Sequence, residues 1–204
     1  DWDRNFLNLT SSVMKQPLRV NPFMKRAILV FILLTSFQFT LQAQGCGCDF
    51  VINPPDSPTT TLFINGDELG VQPGQTICLT AGVYFQIRFT KISGAPGNPV
   101  IVKNCGGLAQ LGDDVNFGRW YALDIVGCKY VQFTGTGDPA IKYGIKLGRS
   151  GDSALKIGGA STNIEIDHLE IANANFAGIL AKTDYGAFPP PNASEMNNLN
   201  IHDN

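Results

Sequence analysis

Short runs of alternating apolar and polar residues recur from Val71 to the end of the chain, and they constrain its fold more than any other feature. Val, Ile, Phe and Tyr dominate the runs, and Gly, Asn or Asp separates them. Each run is too short for a helix, so we expect strands joined by turns and no amphipathic helix. The runs are residues 76–79, 85–90, 99–103, 121–126, 130–134, 143–147, 154–157, 163–171, 178–181 and 199–201.

The runs also repeat at a drifting interval. Residues 121–127 superpose on residues 153–159 at an offset of 32, and residues 131–133 fall on residues 164–166 with one extra residue. A further offset of 35 carries residues 164–166 onto residues 199–201. Fixed strand triplets between loops of varying length are typical of a parallel β-helix. A propeller would need antiparallel hairpins, and the Asn-Gly hairpin signal occurs only at Asn65-Gly66.

Residues 24–43 have the three parts of a secretory signal peptide. Lys25 and Arg26 precede an apolar stretch, and Leu41-Gln42-Ala43 resembles a cleavage site. The apolar stretch, about 15 residues, is shorter than the roughly 20 that a membrane-spanning helix needs. A membrane anchor and lipidation at Cys46 are the alternatives. We therefore expect a mature protein that begins near Gln44, is secreted or held at the cell surface, and does not insert into a membrane.

The remaining boundaries follow from this signal. Residues 1–23 precede it, and we expect them to be an upstream extension rather than native mature sequence. Residues 44–70 contain Pro54, Pro55 and Pro58, and we expect them to be a lead-in and an N-terminal cap. Residues 71–204 then form the coils, which are expected to be incomplete at the C-terminus because a strand-like run ends the sequence.

Composition limits the partners. Residues 44–204 carry 10 Lys and Arg against 15 Asp and Glu, a net charge of about −5. Such a surface argues against nucleic acid and anionic membranes as partners.

All five cysteines lie after the signal, where disulfides can form, and their odd number leaves at least one unpaired or paired elsewhere. Cys46 or Cys48 could pin the cap to Cys78. Core packing as small buried side chains is the other interpretation of Cys78, Cys105 and Cys128. The tight Cys46-Gly47-Cys48 spacing does not favour zinc.

Three phrases near the start of the coils carry a family resemblance. They are QPGQTICL at 72–79, AGVY at 81–84 and ISGAPGNPVIV at 92–102. In this order they resemble the opening coil of secreted right-handed parallel β-helix proteins of the pectin-lyase-like superfamily, from which Gln75 and Ala95 depart. Later phrases, such as IDHLEI at 166–171, resemble a bacterial subgroup of large exported proteins. The resemblance implies an all-β, right-handed parallel β-helix, and polysaccharide lyases and hydrolases of this fold work in a groove along one sheet.

The repeat indicates four candidate catalytic residues. It aligns Asp167 with His202 and His168 with Asp203, so that each carboxylate and imidazole would lie about 4.8 Å apart on neighbouring strands. Such a pair could orient a general base or hold a metal. The alternative is a ladder of turn residues that stabilises the fold.

Other residues are candidates for substrate binding. Trp120 and Tyr121 could stack on sugar rings or pack in the core. Lys146 and Arg149, with Asp152 and Lys156 nearby, could form a basic patch or a solvated loop. A long loop begins with Lys182, Asp184 and Tyr185 and could form a binding wall.

No dedicated cofactor is predicted, although Asp113 and Asp114 could contribute to a Ca²⁺ site. We therefore expect a protein that is a monomer at full length and binds an extracellular polysaccharide. Cleavage of that polysaccharide is a further expectation. The alternative is a non-catalytic adhesin or surface-display protein.

Overall fold

The computed structural model describes residues 45–57, 59–112, 120–182 and 196–204, and within them the chain is mostly β-strand. Eight strands form sheet A: β1 (Phe50–Ile52), β3 (Thr76–Tyr84), β5 (Val100–Leu111), β7 (Lys129–Thr134), β8 (Ile145–Leu147), β10 (Thr162–Asp167), β11 (Leu169–Ile171) and β13 (Asn197–His202). Five strands form sheet B: β2 (Thr61–Asn65), β4 (Gln86–Thr90), β6 (Tyr121–Val126), β9 (Ser153–Gly158) and β12 (Ala177–Lys182). The expected all-β class is confirmed.

Strands in both sheets pair in parallel. The order across sheet A is β1-β3-β5-β7-β10-β13, with β8 and β11 extending from the second half of β5. Sheet B has the order β12-β9-β6-β4-β2. Between any two strands that pair in one sheet, the chain forms at least one strand of the other sheet. Within the described residues no two named strands pair antiparallel, which is the pairing that a propeller needs.

The strand register is the one that the repeat predicted. Tyr121 pairs with Ser153. Ile164 pairs with Val131 on one side and with Leu199 on the other. Because side chains alternate between the two faces of a strand, this register stacks apolar residues on apolar residues through successive strands.

The stacked apolar side chains form one core between the sheets. Phe89 of β4 and Phe133 of β7 are fully buried, and their rings meet edge to face with centroids 5.3 Å apart. Ile125 and Ile157 of sheet B and Ile166 of sheet A belong to the same buried cluster. Sheet A and sheet B therefore bury their inner faces together.

One predicted run is divided in two. Residues 163–171 were expected as a single strand, but β10 ends at Asp167 and β11 begins at Leu169. His168 between them has a left-handed backbone with φ of 54°. That conformation interrupts the extended backbone, so β11 leaves the β7–β10–β13 row and pairs with β8 instead.

The Asn-Gly signal marks a helix rather than a hairpin. The Asn65 side chain accepts a hydrogen bond from the Asp67 amide at the start of α1 (Gly66–Leu69), and Gly70 ends the helix with φ of 73°. A β-carbon at Gly66 would lie 2.4 Å from the Lys91 carbonyl oxygen, so the close approach requires glycine. No amphipathic helix was expected after the signal peptide, and this single turn is the one helix among the described residues. In the described part of the chain no helix is long and apolar enough to span a bilayer.

The segment predicted as lead-in and cap takes part in both sheets. β1 pairs with β3 at the edge of sheet A, and β2 pairs with β4 at the edge of sheet B. Residues 1–23 and the predicted signal at 24–43 lie outside the described residues.

Two disulfides tie the start of this segment to sheet A. They join Cys48 to Cys78 in β3 and Cys46 to Cys105 in β5. The pairing of Cys48 with Cys78 was one of the predicted possibilities. Cys78, Cys105 and Cys128 are all buried, as their interpretation as small core side chains predicted, but Cys78 and Cys105 are oxidised and Cys128 is free.

Candidate functional site

The four catalytic candidates lie where β10 and β13 end. Thr134, Asp167 and His202 occupy the same register position on β7, β10 and β13. The predicted pairing of Asp167 with His202 is therefore confirmed. His168 and Asp203 follow at the next position, with left-handed φ angles of 54° and 52°.

Asp167 is buried, and its carboxylate accepts three hydrogen bonds. Its carboxylate accepts hydrogen bonds from the Thr134 hydroxyl, from Nε2 of Gln132 at 3.0 Å and from Nδ1 of His168 at 2.7 Å. Burial alone raises the pKa of this carboxyl, but the hydrogen bonds from Thr134, Gln132 and His168 outweigh it, so the pKa lies below its usual value. Asp167 is thus held as a buried anion.

His202 lies between two carboxylates. Its Nδ1 is 2.9 Å from Oδ2 of Asp203, and its Nε2 is 3.1 Å from Oε1 of Glu165. These hydrogen bonds, the one to Asp203 first, raise the pKa of His202 above its usual value. Both ring nitrogens are therefore committed to acidic partners.

Each imidazole contacts the carboxylate beside it in sequence. His168 binds Asp167, and His202 binds Asp203, whereas the expectation paired the residues across strands. The cross-strand contact of His202 goes to Glu165 instead. The reason is geometric, because the left-handed backbone at His168 and Asp203 turns these residues out of the strand direction.

Glu165 and Gln132 are the members of the site that sequence reasoning missed. They are paired on β10 and β7, and Nε2 of Gln132 lies 3.5 Å from Oε1 of Glu165. Glu165 stands two residues before Asp167, so strand alternation places both on the same face of β10. Period-two alternation is the signal that could have identified it. Glu165, Gln132, Asp167, His168, His202 and Asp203 are called the histidine cluster below.

An open groove of about 230 Å³ adjoins this cluster on the outer face of sheet A. Its lining comes from three adjacent strands and from the loop before β5. Several of the lining side chains are amides, and one carboxylate and one aromatic ring lie among them. The lining includes Pro99, Tyr130, Gln132, Asn163, Glu165, Asn198 and Asn200. The groove and the cluster thus share Gln132 and Glu165.

The strand starts contribute a ladder to this groove. Tyr130, Asn163 and Asn198 are each the second residue of their strand, β7, β10 and β13 respectively. Their φ angles are 52°, 56° and 53°. Nδ2 of Asn198 donates to Oδ1 of Asn163 at 2.9 Å. The same left-handed step, repeated strand after strand, directs polar side chains toward the groove.

Trp120 and Tyr121 lie at sheet B, away from the histidine cluster. The Lys156 ammonium sits 4.7 Å from the centroid of the Tyr121 ring, so one face of that ring is occupied. Trp120 is 72% exposed, as is Phe176. The Trp120 carbonyl accepts from the Asp152 amide, and the Asp152 carbonyl accepts from the Phe176 amide, which aligns these three residues in a row just before β6, β9 and β12.

The predicted basic patch is divided between the sheets. Lys146 is on β8 of sheet A and forms a 3.6 Å ion pair with Glu170, while Lys156 is on β9 of sheet B. Arg149 follows β8 and is half-buried, and Lys182 ends β12 and is exposed. Asp184 and Tyr185 of the predicted binding loop lie outside the described residues, as do Asp113 and Asp114 of the predicted Ca²⁺ site.

A charged pair on sheet B was also missed. Arg88 of β4 and Asp124 of β6 are in register, and Nε of Arg88 lies 2.8 Å from Oδ2 of the buried Asp124. Arg88 also stands over the Phe63 ring at 5.8 Å. Arg88 therefore contacts side chains of both strands that flank β4, Asp124 of β6 and Phe63 of β2.

Among the described residues, two groups have donor atoms close enough together to share a metal ion. In one, Cys46, Cys48 and Cys105 are all consumed in disulfides. In the other, one ligand atom each from Glu165, Asp167 and His202 lies within 4.8 Å of the others.

Comparison of the chain with models of protein families, with curated proteins and with solved structures finds no match.

Proposed function

We propose that this chain is an exported right-handed parallel β-helix that binds an extracellular polysaccharide in the groove on sheet A. The observation that carries the binding proposal is the groove itself, where amide, carboxylate and aromatic side chains converge across three strands. Hydroxyl-rich sugars need hydrogen-bond donors and acceptors on one side and a flat apolar face on the other. The groove offers both.

The β-helix proposal is supported by the path of the chain. The chain passes repeatedly from one parallel sheet to the other, and strands stack in register on strands one repeat earlier. Connections between parallel strands of one sheet are right-handed in about 98% of cases, which supports the handedness. The resemblance of residues 72–102 to pectin-lyase-like proteins leads to the same proposal.

Export is supported by the predicted signal at residues 24–43 and by the two disulfides. Disulfides persist in oxidising compartments outside the cytosol, and two of them join the first described residues to sheet A. Expression in a secreting host followed by N-terminal sequencing should find Gln44 as the first residue. A secreted product that retains residues 24–43 would contradict the export proposal.

The dimensions of the groove suit a short stretch of a linear glycan. It crosses β7, β10 and β13, so its floor spans two strand spacings, about 10 Å, along the direction in which the strands stack. Gln132, Glu165 and Asn200 stand in register along that floor. A chain that runs across the strands would meet one of these side chains every 4.8 Å or so.

The charge of the site selects among polysaccharides. Glu165 lines the groove, and the buried anion Asp167 lies directly beside it. A uronate chain would bring like charges together, which is unfavourable at short range. Neutral or amino-sugar polymers are therefore the proposed ligands in metal-free buffer.

Binding without cleavage is the form of this function that the site favours. A general base needs a free lone pair that can reach the substrate, whereas both ring nitrogens of His202 face carboxylates. Asp167 is buried and already accepts three hydrogen bonds. The adhesin alternative therefore fits this cluster better than a lyase or a hydrolase does.

The test is binding of the full chain to a panel of neutral, amino-sugar and uronate polysaccharides, measured by affinity electrophoresis in EDTA. We expect Tyr130→Ala and Gln132→Ala to weaken binding at least about fivefold, or about 1 kcal/mol each. Trp120→Ala removes an exposed ring just before β6 of sheet B and should leave binding unchanged.

Loss of binding in Trp120→Ala alone would move the site to sheet B and overturn the groove proposal. A chain that binds no member of the panel would contradict the polysaccharide proposal. New reducing ends or unsaturated products in the same reactions would favour the enzyme alternative.

A further inference from the structure

We infer that Glu165, Asp167 and His202 form a binding site for one divalent transition-metal ion, in which Asp203 holds the imidazole in place. This inference does not rest on the polysaccharide proposal, because it requires only these four side chains. The residues come from β10 and from the end of β13, which are paired along their length.

The distances between donor atoms suit a metal of this size. Nε2 of His202 and Oε1 of Glu165 are 3.1 Å apart. Two ligands at about 2.1 Å from a tetrahedral Zn²⁺ lie about 3.4 Å from each other, so this pair needs almost no movement. The third donor, from Asp167, lies within 4.8 Å of both, and a small rotation of side chains would close that distance.

The hydrogen bond at Nδ1 orients the histidine as a ligand. Asp203 accepts from Nδ1 at 2.9 Å, which directs the Nε2 lone pair toward Glu165. The Nε2 lone pair of His202 and Oε1 of Glu165 are both electron-rich and only 3.1 Å apart, so a cation, either a proton or a metal ion, must lie between them. A carboxylate behind a metal-bound imidazole is the usual arrangement around such ligands, since it fixes the ring and raises its basicity.

The donor set selects the class of ion. One imidazole nitrogen with two carboxylates suits Zn²⁺ and its first-row neighbours, whereas Ca²⁺ and Mg²⁺ take oxygen ligands and avoid imidazole. The Asp167 carboxylate is fixed in position by hydrogen bonds from Thr134, Gln132 and His168. Three protein ligands leave a fourth coordination position of a tetrahedral ion for another donor.

Gln132 adds a possible fourth donor. Its Nε2 now lies 3.0 Å from Oδ2 of Asp167 and 3.5 Å from Oε1 of Glu165, the two oxygens that would bind the ion. A half-turn of the amide would present its oxygen to the same point. Gln132 therefore either faces the ion with its oxygen or withdraws toward the groove when the ion binds.

The test is calorimetric titration of the full chain with Zn²⁺ in metal-free buffer, with Ca²⁺ and Mg²⁺ as parallel arms. We expect one Zn²⁺ per chain and no measurable heat from Ca²⁺ or Mg²⁺. His202→Ala and Glu165→Gln should each weaken Zn²⁺ binding at least about tenfold, and Asp203→Asn by about 10- to 100-fold because it loosens the ring. Glu170→Gln, which removes an equal charge from β11, should leave the affinity unchanged.

A second readout needs no substitution at a ligand. The sequence contains two histidines, so ¹⁵N spectra of their rings are simple to assign with His168→Gln as a reference. Zn²⁺ should shift the Nε2 resonance of His202 in the unaltered chain. Unchanged His202 resonances at saturating Zn²⁺, equal affinity in His202→Ala, or binding of Ca²⁺ in preference to Zn²⁺ would each overturn the proposal.

Discussion

Glu165 and His202 meet side chain to side chain at 3.1 Å, although 37 residues separate them along the chain. The contact runs diagonally between neighbouring strands, because Glu165 is paired with Asn200 and His202 with Asp167. It joins the groove that Glu165 lines to the cluster in which Asp167 is buried. The proposed binding surface and the proposed metal site therefore share one side chain.

The two disulfides should carry a large part of the stability. They close segments of 30 and 59 residues, and removal of a native disulfide typically lowers the free energy of unfolding by about 2–5 kcal/mol. We expect the Cys48→Ala, Cys78→Ala double variant to lose stability in that range in urea denaturation. Peptide mapping without reduction should recover Cys46 with Cys105 and Cys48 with Cys78, and any bridge to Cys128 would contradict the assigned pairs.

Cys128 should be inert in the folded protein. Burial raises the pKa of its thiol to about 12, so almost no thiolate exists at neutral pH. A thiol reagent at pH 8 should find no reactive cysteine in the native chain and one in the chain unfolded without reductant. Rapid labelling of the native protein would show that Cys128 is accessible.

Tyr84 should make the protein less stable at high pH. Its hydroxyl lies 2.8 Å from the carbonyl oxygens of Ile52 and Thr80, and burial raises its pKa from 10.0 to about 12. The unfolded chain releases this proton near pH 10 while the folded chain retains it, so stability falls as pH rises from about 10 to 12.

Tyr84→Phe supplies the matched comparison for that pH effect. The variant should be less stable at pH 7, by about 1–3 kcal/mol, because two buried carbonyl groups lose a donor. Its free energy of unfolding should decline less steeply than that of the parent between pH 10 and 12. If the free energy of unfolding fell equally in both proteins over this pH range, Tyr84 would be excluded as the source of the pH effect.

Phe133 should matter far more than an exposed ring of the same kind. Phe133→Ala leaves a cavity between sheets A and B and should lower the free energy of unfolding by about 3–5 kcal/mol. Phe63 is 69% exposed and has Arg88 over its ring, so Phe63→Ala should cost less than about 1 kcal/mol. Equal losses in the two variants would contradict the core described above.

The strand register was predictable because it depends on a simple period. Apolar residues at every second position must face the core, and a slip of one residue would turn all of them outward. The match of residues 164–166 with residues 199–201 therefore predicted that Asp167 lies beside His202, as the structure shows. The same period also places Glu165 on the face of β10 that carries Asp167.

Cysteine pairing and local backbone conformation were harder to predict from the sequence. Several pairings of five cysteines agree with the sequence, and only the position of β5 beside β3 brings Cys105 within reach of Cys46. The left-handed backbone at His168 is also a local choice that side-chain type does not dictate. It sends His168 to Asp167 rather than across to Asp203.

The sequence by itself determined the all-β class, the alignment of successive strands and the position of Asp167 beside His202. These follow from the period-two burial of apolar side chains, which is a property of the local sequence. Only the tertiary structure decided that His202 turns to Glu165 and Asp203, that Asp167 is buried, and that Tyr130 and Gln132 line a groove beside them. Those contacts join residues from different strands, and their geometry depends on how the strands stack and where the backbone turns.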